Sequence, residues 1–145
     1  MDLVNEEIDI CERIRHARRT GNTRCGVIEG RMSVVEVARA FELADDGAIY
    51  RSIDRAEATA IATHLLHVDL AYGLEIMSVA DAAELWRQFM ALFDGQNAGL
   101  FTNVEAGFDS WATFSWASAT SSTFDMGILV IGATTAGCLW VEDED

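Results

Sequence analysis

Phe124-Asp125-Met126-Gly127-Ile128-Leu129-Val130-Ile131 decides the fold. From Met126 onward the run is apolar at every position except Gly127, so both faces of a strand made from it must be covered, which suits the middle of a sheet better than its edge. A Gly- and Thr-rich turn follows, and Cys138-Leu139-Trp140-Val141-Glu142 resumes the strand pattern. The two segments predict a hairpin around Gly132 to Gly137. Pairing Ile131 with Cys138 would set Asp125 opposite Glu144 and gather carboxylates at one end of the sheet.

Working back from this hairpin, Leu100 to Val104 and Trp111 to Ala119 also read as strands, joined by Gly-, Ser- and Thr-rich turns. Before Gly99 the period is mostly helical. Val79, Ala82, Ala83, Trp86, Phe89, Met90 and Phe93 recur at three- and four-residue steps after the cap signal Ser78-Val79-Ala80-Asp81. An Ala-rich helix is expected from Asp54 to about Ala71, with Ile61, Leu65, Val68 and Tyr72 as its apolar stripe. A first helix is capped by Asp2 and runs to about Arg19, where Gly21-Asn22 stops it.

Between these helices, Cys25 to Glu29 and Ala48 to Ile53 read as short strands. Ser33-Val34-Val35-Glu36 has the form of a capping box, yet its β-branched cluster leaves residues 33–44 open between helix and strand. The expected architecture is α+β, with about three helices packed on one face of an antiparallel sheet of four to six strands and a mostly β C-terminal half. A chain of 145 residues, half of them hydrophobic, is expected to form a single domain over 1–145.

Charge divides the chain unevenly. Residues 88–145 carry eight acids and no base, net −8, whereas residues 1–87 carry sixteen acids and ten bases, net −6, which together give the −14 of the whole. Such a field repels nucleic acid and anionic membrane and favours encounter with a basic protein surface. All ten bases are Arg. With abundant Ala, this usage fits a GC-rich coding sequence and a bacterial source. No stretch reaches the length of a membrane span and the acidic N-terminus lacks the form of a signal peptide, so a cytoplasmic protein is expected. Cys11, Cys25 and Cys138 are odd in number and widely spaced, which predicts reduced thiols and neither a disulfide framework nor a zinc site.

Motifs for chemistry are sparse. His64 and His67 lie near one another on a helix with Glu57 and Asp69 nearby, but the ligand number and spacing of a zinc site are missing, and neither metal nor cofactor is predicted. The arginines Arg13, Arg15, Arg18, Arg19 and Arg24 suit a helix C-terminus or internal pairing with the carboxylates. Glycine-rich phosphate loops and nucleophile elbows are absent.

The expectation is therefore a non-enzymatic, acidic protein-binding module, in its concrete form an immunity or antitoxin protein that masks a basic toxin or effector. Asp125, Glu142, Asp143, Glu144 and Asp145 would supply charge, and Trp140 an apolar anchor. A small acidic secretion chaperone is the alternative, and an enzyme with a His64/His67 site the third.

Overall fold

In the computed structural model, which describes residues 3–106, 111 and 114–144, the apolar run becomes β4 (Phe124–Ile131). It lies in the middle of a five-stranded, wholly antiparallel sheet. With β1 (Asn22–Glu29), β2 (Arg51–Ile53), β3 (Gly99–Thr102) and β5 (Thr135–Asp143), the strand order is β1-β5-β4-β3-β2. Four helices accompany these strands among the described residues: α1 (Leu3–Ala17), α2 (Val34–Ala40), α3 (Arg55–His67) and α4 (Val79–Ala91). The fold is α+β, with the C-terminal half mostly strands.

Alternation along β4 and β5 sorts the side chains into two cores. Met126, Ile128, Val130, Leu139 and Val141 face α1, α3 and α4, where Ile14, Ile61, Leu65, Trp86 and Phe89 bury them. Leu129, Cys138 and Trp140 face the other way, against Val37 and Ala38 of α2, Leu43 and Tyr50. Three helices do share one face, and the fourth covers the other. That second cover explains why β4 has no polar face. Gly127 is required there, since a Cβ would lie 2.4 Å from the Leu139 carbonyl oxygen and from the Trp140 ring.

The helices start where their caps say. Ser33 and Glu36 close a complete capping box, which settles residues 34–40 as helix despite their β-branching. Asp54 caps α3 and Ser78 caps α4. The Asp2 cap expected for α1 lies outside the described residues.

Several boundaries differ from expectation. The β4–β5 connection is shorter, because Ile131 pairs with Ala136 and the Gln96 side chain organises the turn, accepting from the backbone N–H groups of Thr134 and Thr135 at 3.1 Å each. Asp125 therefore pairs with Glu142 and not Glu144. This two-residue shift keeps every side chain on its face. Ala48–Ile53 splits into a 3-10 turn (Gly47–Ile49) and the short β2.

The strand expected over Trp111 to Ala119 falls partly on 112–113, outside the described residues. The described remainder forms only an isolated bridge, Val104 with Trp116. Two ladder bonds flank that bridge, Ala117 N–H to the Asn103 carbonyl and Glu105 N–H to the Ser115 carbonyl, and beyond them Ala119 N–H turns to the Asp125 carboxylate. No helix among the described residues is long and apolar enough to cross a membrane.

Candidate functional site: a groove between the α3–α4 turn and the end of the sheet

Helix α3 stops short because Asp69 takes over the hydrogen bonding that a further turn would need. Val68 already has extended dihedrals, and the Asp69 carboxylate accepts from Tyr72 N–H and Leu74 N–H, both at 2.7 Å. Asp69 N–H in turn donates to the Leu74 carbonyl at 3.0 Å, and Gly73 supplies the positive φ of +70° that closes the turn. Tyr72, expected on the buried stripe of α3, consequently sits outside the helix.

This turn is tied to the rest of the molecule from below. Arg18, at the end of α1, is buried and uses all its donors. Its Nε donates to the Leu65 carbonyl at 2.6 Å, Nη1 to the Thr20 carbonyl and Asp143 Oδ1 at 3.0 Å each, and Nη2 to Asp143 Oδ2 at 2.7 Å and the Val68 carbonyl at 3.4 Å. Asp143 Oδ2 also accepts from Leu70 N–H at 2.8 Å. Arg19 adds a bond from Nη1 to the Ile76 carbonyl at 3.0 Å. A bidentate, fully satisfied ion pair thus locks the ends of α1, α3 and β5 together.

Above this lock lies a groove of about 530 Å³, lined by Arg19, Asn22, Asp69, Tyr72, Leu74, Glu75, Ile76, Ser122, Glu142 and Glu144, with Asp143 among them. Tyr72 and Leu74 are 65% and 68% exposed. Val79, the third exposed large hydrophobic side chain among the described residues, is close behind them in sequence, on the first turn of α4. On the sheet side, Glu142 pairs with Arg24 and accepts from Ser122 Oγ at 2.6 Å and Asn22 Nδ2 at 3.2 Å. Glu144 is exposed and accepts from the hydroxyl and backbone N–H of Thr123, which hold its carboxyl below the usual carboxylate range. Glu75 is exposed on the turn side. With Asp143 and Glu142 paired to Arg18 and Arg24, the acids that remain outward at this groove are Glu75 and Glu144.

The partner-binding set expected from the sequence is therefore divided by burial, which places two of its acids, Asp125 and Asp143, and its one aromatic, Trp140, inside the molecule. Asp125 is 1% exposed, its carboxylate spent on Asn103, Ala119, Thr120 and Trp140. Trp140 is fully buried, edge-on to Tyr50 at 5.9 Å, with Nε1 donating to Asp125 Oδ1 at 3.1 Å, so it cannot anchor a partner. Asp143 is buried under Arg18. Glu142 and Glu144 remain at the rim, and Asp145 lies outside the described residues. The exposed apolar side chains at this groove, Tyr72 and Leu74, were not among the site residues expected from the sequence. Their signal was the Asp69 to Gly73 spacing, which marks a turn.

The histidines are drawn to separate neighbours. His64 stacks on Trp111 with ring centroids 3.9 Å apart, and burial, with smaller contributions from His67 and Arg18, lowers its pKa from 6.5 to about 4. His67 Nδ1 lies 2.7 Å from the Met77 carbonyl oxygen. Among the described residues, no three His, Cys, Asp or Glu side chains group as metal ligands. Compared with known proteins, the chain matches no family model, no curated protein and no solved structure.

Proposed function

We propose that this groove docks a basic, apolar-tipped segment of a partner protein, and that the chain is a protein-binding module which acts by occupying that partner, as an immunity protein or antitoxin does. What carries the reading is the pair Tyr72 and Leu74, held outward on a braced turn beside Glu75 and Glu144. A partner side chain packed on them gains apolar burial. Because Asp69, Arg18 and Asp143 already fix the turn, little conformational freedom is lost on binding. The two outward carboxylates contribute mainly to encounter and orientation. Charge alone would leave the site unspecified, and the apolar tip gives it a centre.

Two double variants test this, both on exposed side chains. The partner is captured from an extract of the native host, identified and purified, and its binding to each variant is followed by surface-based kinetics. Tyr72→Ala/Leu74→Ala should raise Kd by at least about tenfold through faster dissociation, the size expected for losing a central anchor. Glu75→Gln/Glu144→Gln should slow association and flatten its dependence on salt. A partner that binds both variants as it binds the parent would move the interface elsewhere on the molecule.

A further inference from the structure

Cys11 on α1 and Cys25 on β1 lie side by side beneath the helical layer. Their sulfurs are 3.0 Å apart, about 1 Å more than a disulfide bond of about 2.05 Å, although 14 residues separate them in sequence. Both belong to the core that α1 shares with the sheet. Cys138 belongs to the other core, across the sheet, and has no part in this contact. An odd cysteine count hid the pair, since a two-plus-one division is invisible without the fold.

We infer that Cys11 and Cys25 form an oxidisable dithiol, which a hydroperoxide converts into a disulfide linking α1 to β1. One sulfur, as thiolate, attacks the peroxide; the O–O bond breaks, the departing oxygen is protonated, and a sulfenic acid remains. The second sulfur then attacks the first, the S–O bond breaks, and water leaves. In total two thiols lose two electrons to one hydrogen peroxide, giving one disulfide and two waters.

The link would span the segment that holds Arg18 and Arg19, the two side chains that brace the groove's turn. Oxidation therefore fastens α1 to the sheet next to the lock on which the groove rests. Burial limits how fast this happens, as Cys11 is 1% and Cys25 7% exposed. The Cys25 thiol is also pushed up by its contact with Cys11 and by burial, so oxidation should accelerate as pH rises. A small oxidant should act where a bulky one does not.

The test exposes the reduced, folded protein to hydrogen peroxide. It is then denatured, alkylated and digested with trypsin, with the Cys138→Ala variant treated in parallel. The expected product is peptide 1–13 joined through Cys11 to peptide 25–31 through Cys25, at a mass two hydrogens below the sum of the reduced peptides. Cys138 of the parent should remain alkylatable. The folded product should melt higher by on the order of 5–10 °C, the effect of closing a loop of this size, and dithiothreitol should reverse the shift. Cys11→Ser should abolish both the linked peptide and the shift. Three results would each overturn the inference: separate sulfinic acids on Cys11 and Cys25, a link through Cys138, or both thiols still alkylatable after treatment that fully oxidises an unfolded control.

Discussion

Five donors converge on the Asp125 carboxylate: Asn103 Nδ2, the backbone N–H groups of Ala119 and Thr120, the Thr120 hydroxyl and Trp140 Nε1. Nothing in the sequence distinguishes this aspartate from its exposed neighbours, because an Asp is ordinarily a surface residue and its partners come from three separate stretches of chain. The same holds for Asp143, whose mate Arg18 lies 125 residues away. The network makes Asp125→Asn an informative substitution despite its near-identical shape. An amide places an NH₂ where only donors approach. The best it can do is turn that NH₂ toward Thr120, whose hydroxyl can accept while its backbone N–H is left without a partner. The expected loss is about 1–3 kcal/mol of unfolding free energy, read from urea denaturation. A midpoint equal to the parent's would mean that the carboxylate is solvated and its role lies at the surface after all.

At the scale of elements, the most legible features were those with local causes. The capping residues Asp54 and Ser78 marked two helix starts, and the two-sided apolarity of β4 marked its central place, whereas the box at Ser33 competed with a β-branched cluster and left its segment open in the sequence. Ends and registers were less legible because distant groups set them: Asp69 ends α3 early, and Gln96 shortens the β4–β5 turn. The alternating hydroxyls and aromatics before Ala119 looked like a strand, but Asp125 and Asn103 claim backbone groups there that a neighbouring strand would need. Gly127 tests how tightly the central strands fit. In general Gly→Ala stabilises by roughly 0.4–1 kcal/mol where the backbone permits it, by restricting the unfolded chain. Here the new methyl would meet a carbonyl oxygen and an indole ring at 2.4 Å, neither of which can move without disturbing β5. Overpacking of about 1–3 kcal/mol should outweigh that gain, so Gly127→Ala is expected to lower the thermal midpoint. A higher midpoint would show that the strands can part there at little cost.

For the molecule as a whole, composition reveals the sign of the field but not where it is free to act. Of the five acids expected to form a binding patch, burial withdraws Asp125 and Asp143, and Arg24 pairs with Glu142. The groove is lined by Tyr72, which periodicity alone had assigned to a buried stripe, and by Leu74, which it had assigned to none, and both are exposed. The unevenness of the charge still has a global consequence. At net −14, repulsion among carboxylates opposes the compact state, and it acts over about 30 Å at 0.01 M salt but only about 8 Å at 0.15 M. Salt also weakens exposed ion pairs such as Arg39–Asp45 and Arg87–Glu84, but solvent already screens these, so each contributes little. The Arg18–Asp143 pair is sheltered from ions by its burial. Repulsion should therefore win, and the thermal midpoint should rise as sodium chloride is raised from about 0.01 M to about 0.15 M, the interval over which screening closes. Restricting the series to chloride at these concentrations keeps exclusion effects of strongly hydrated salts out of the comparison. A midpoint that falls over the same interval would mean that the surface ion pairs, and not the excess of acid, govern the electrostatic part of the stability.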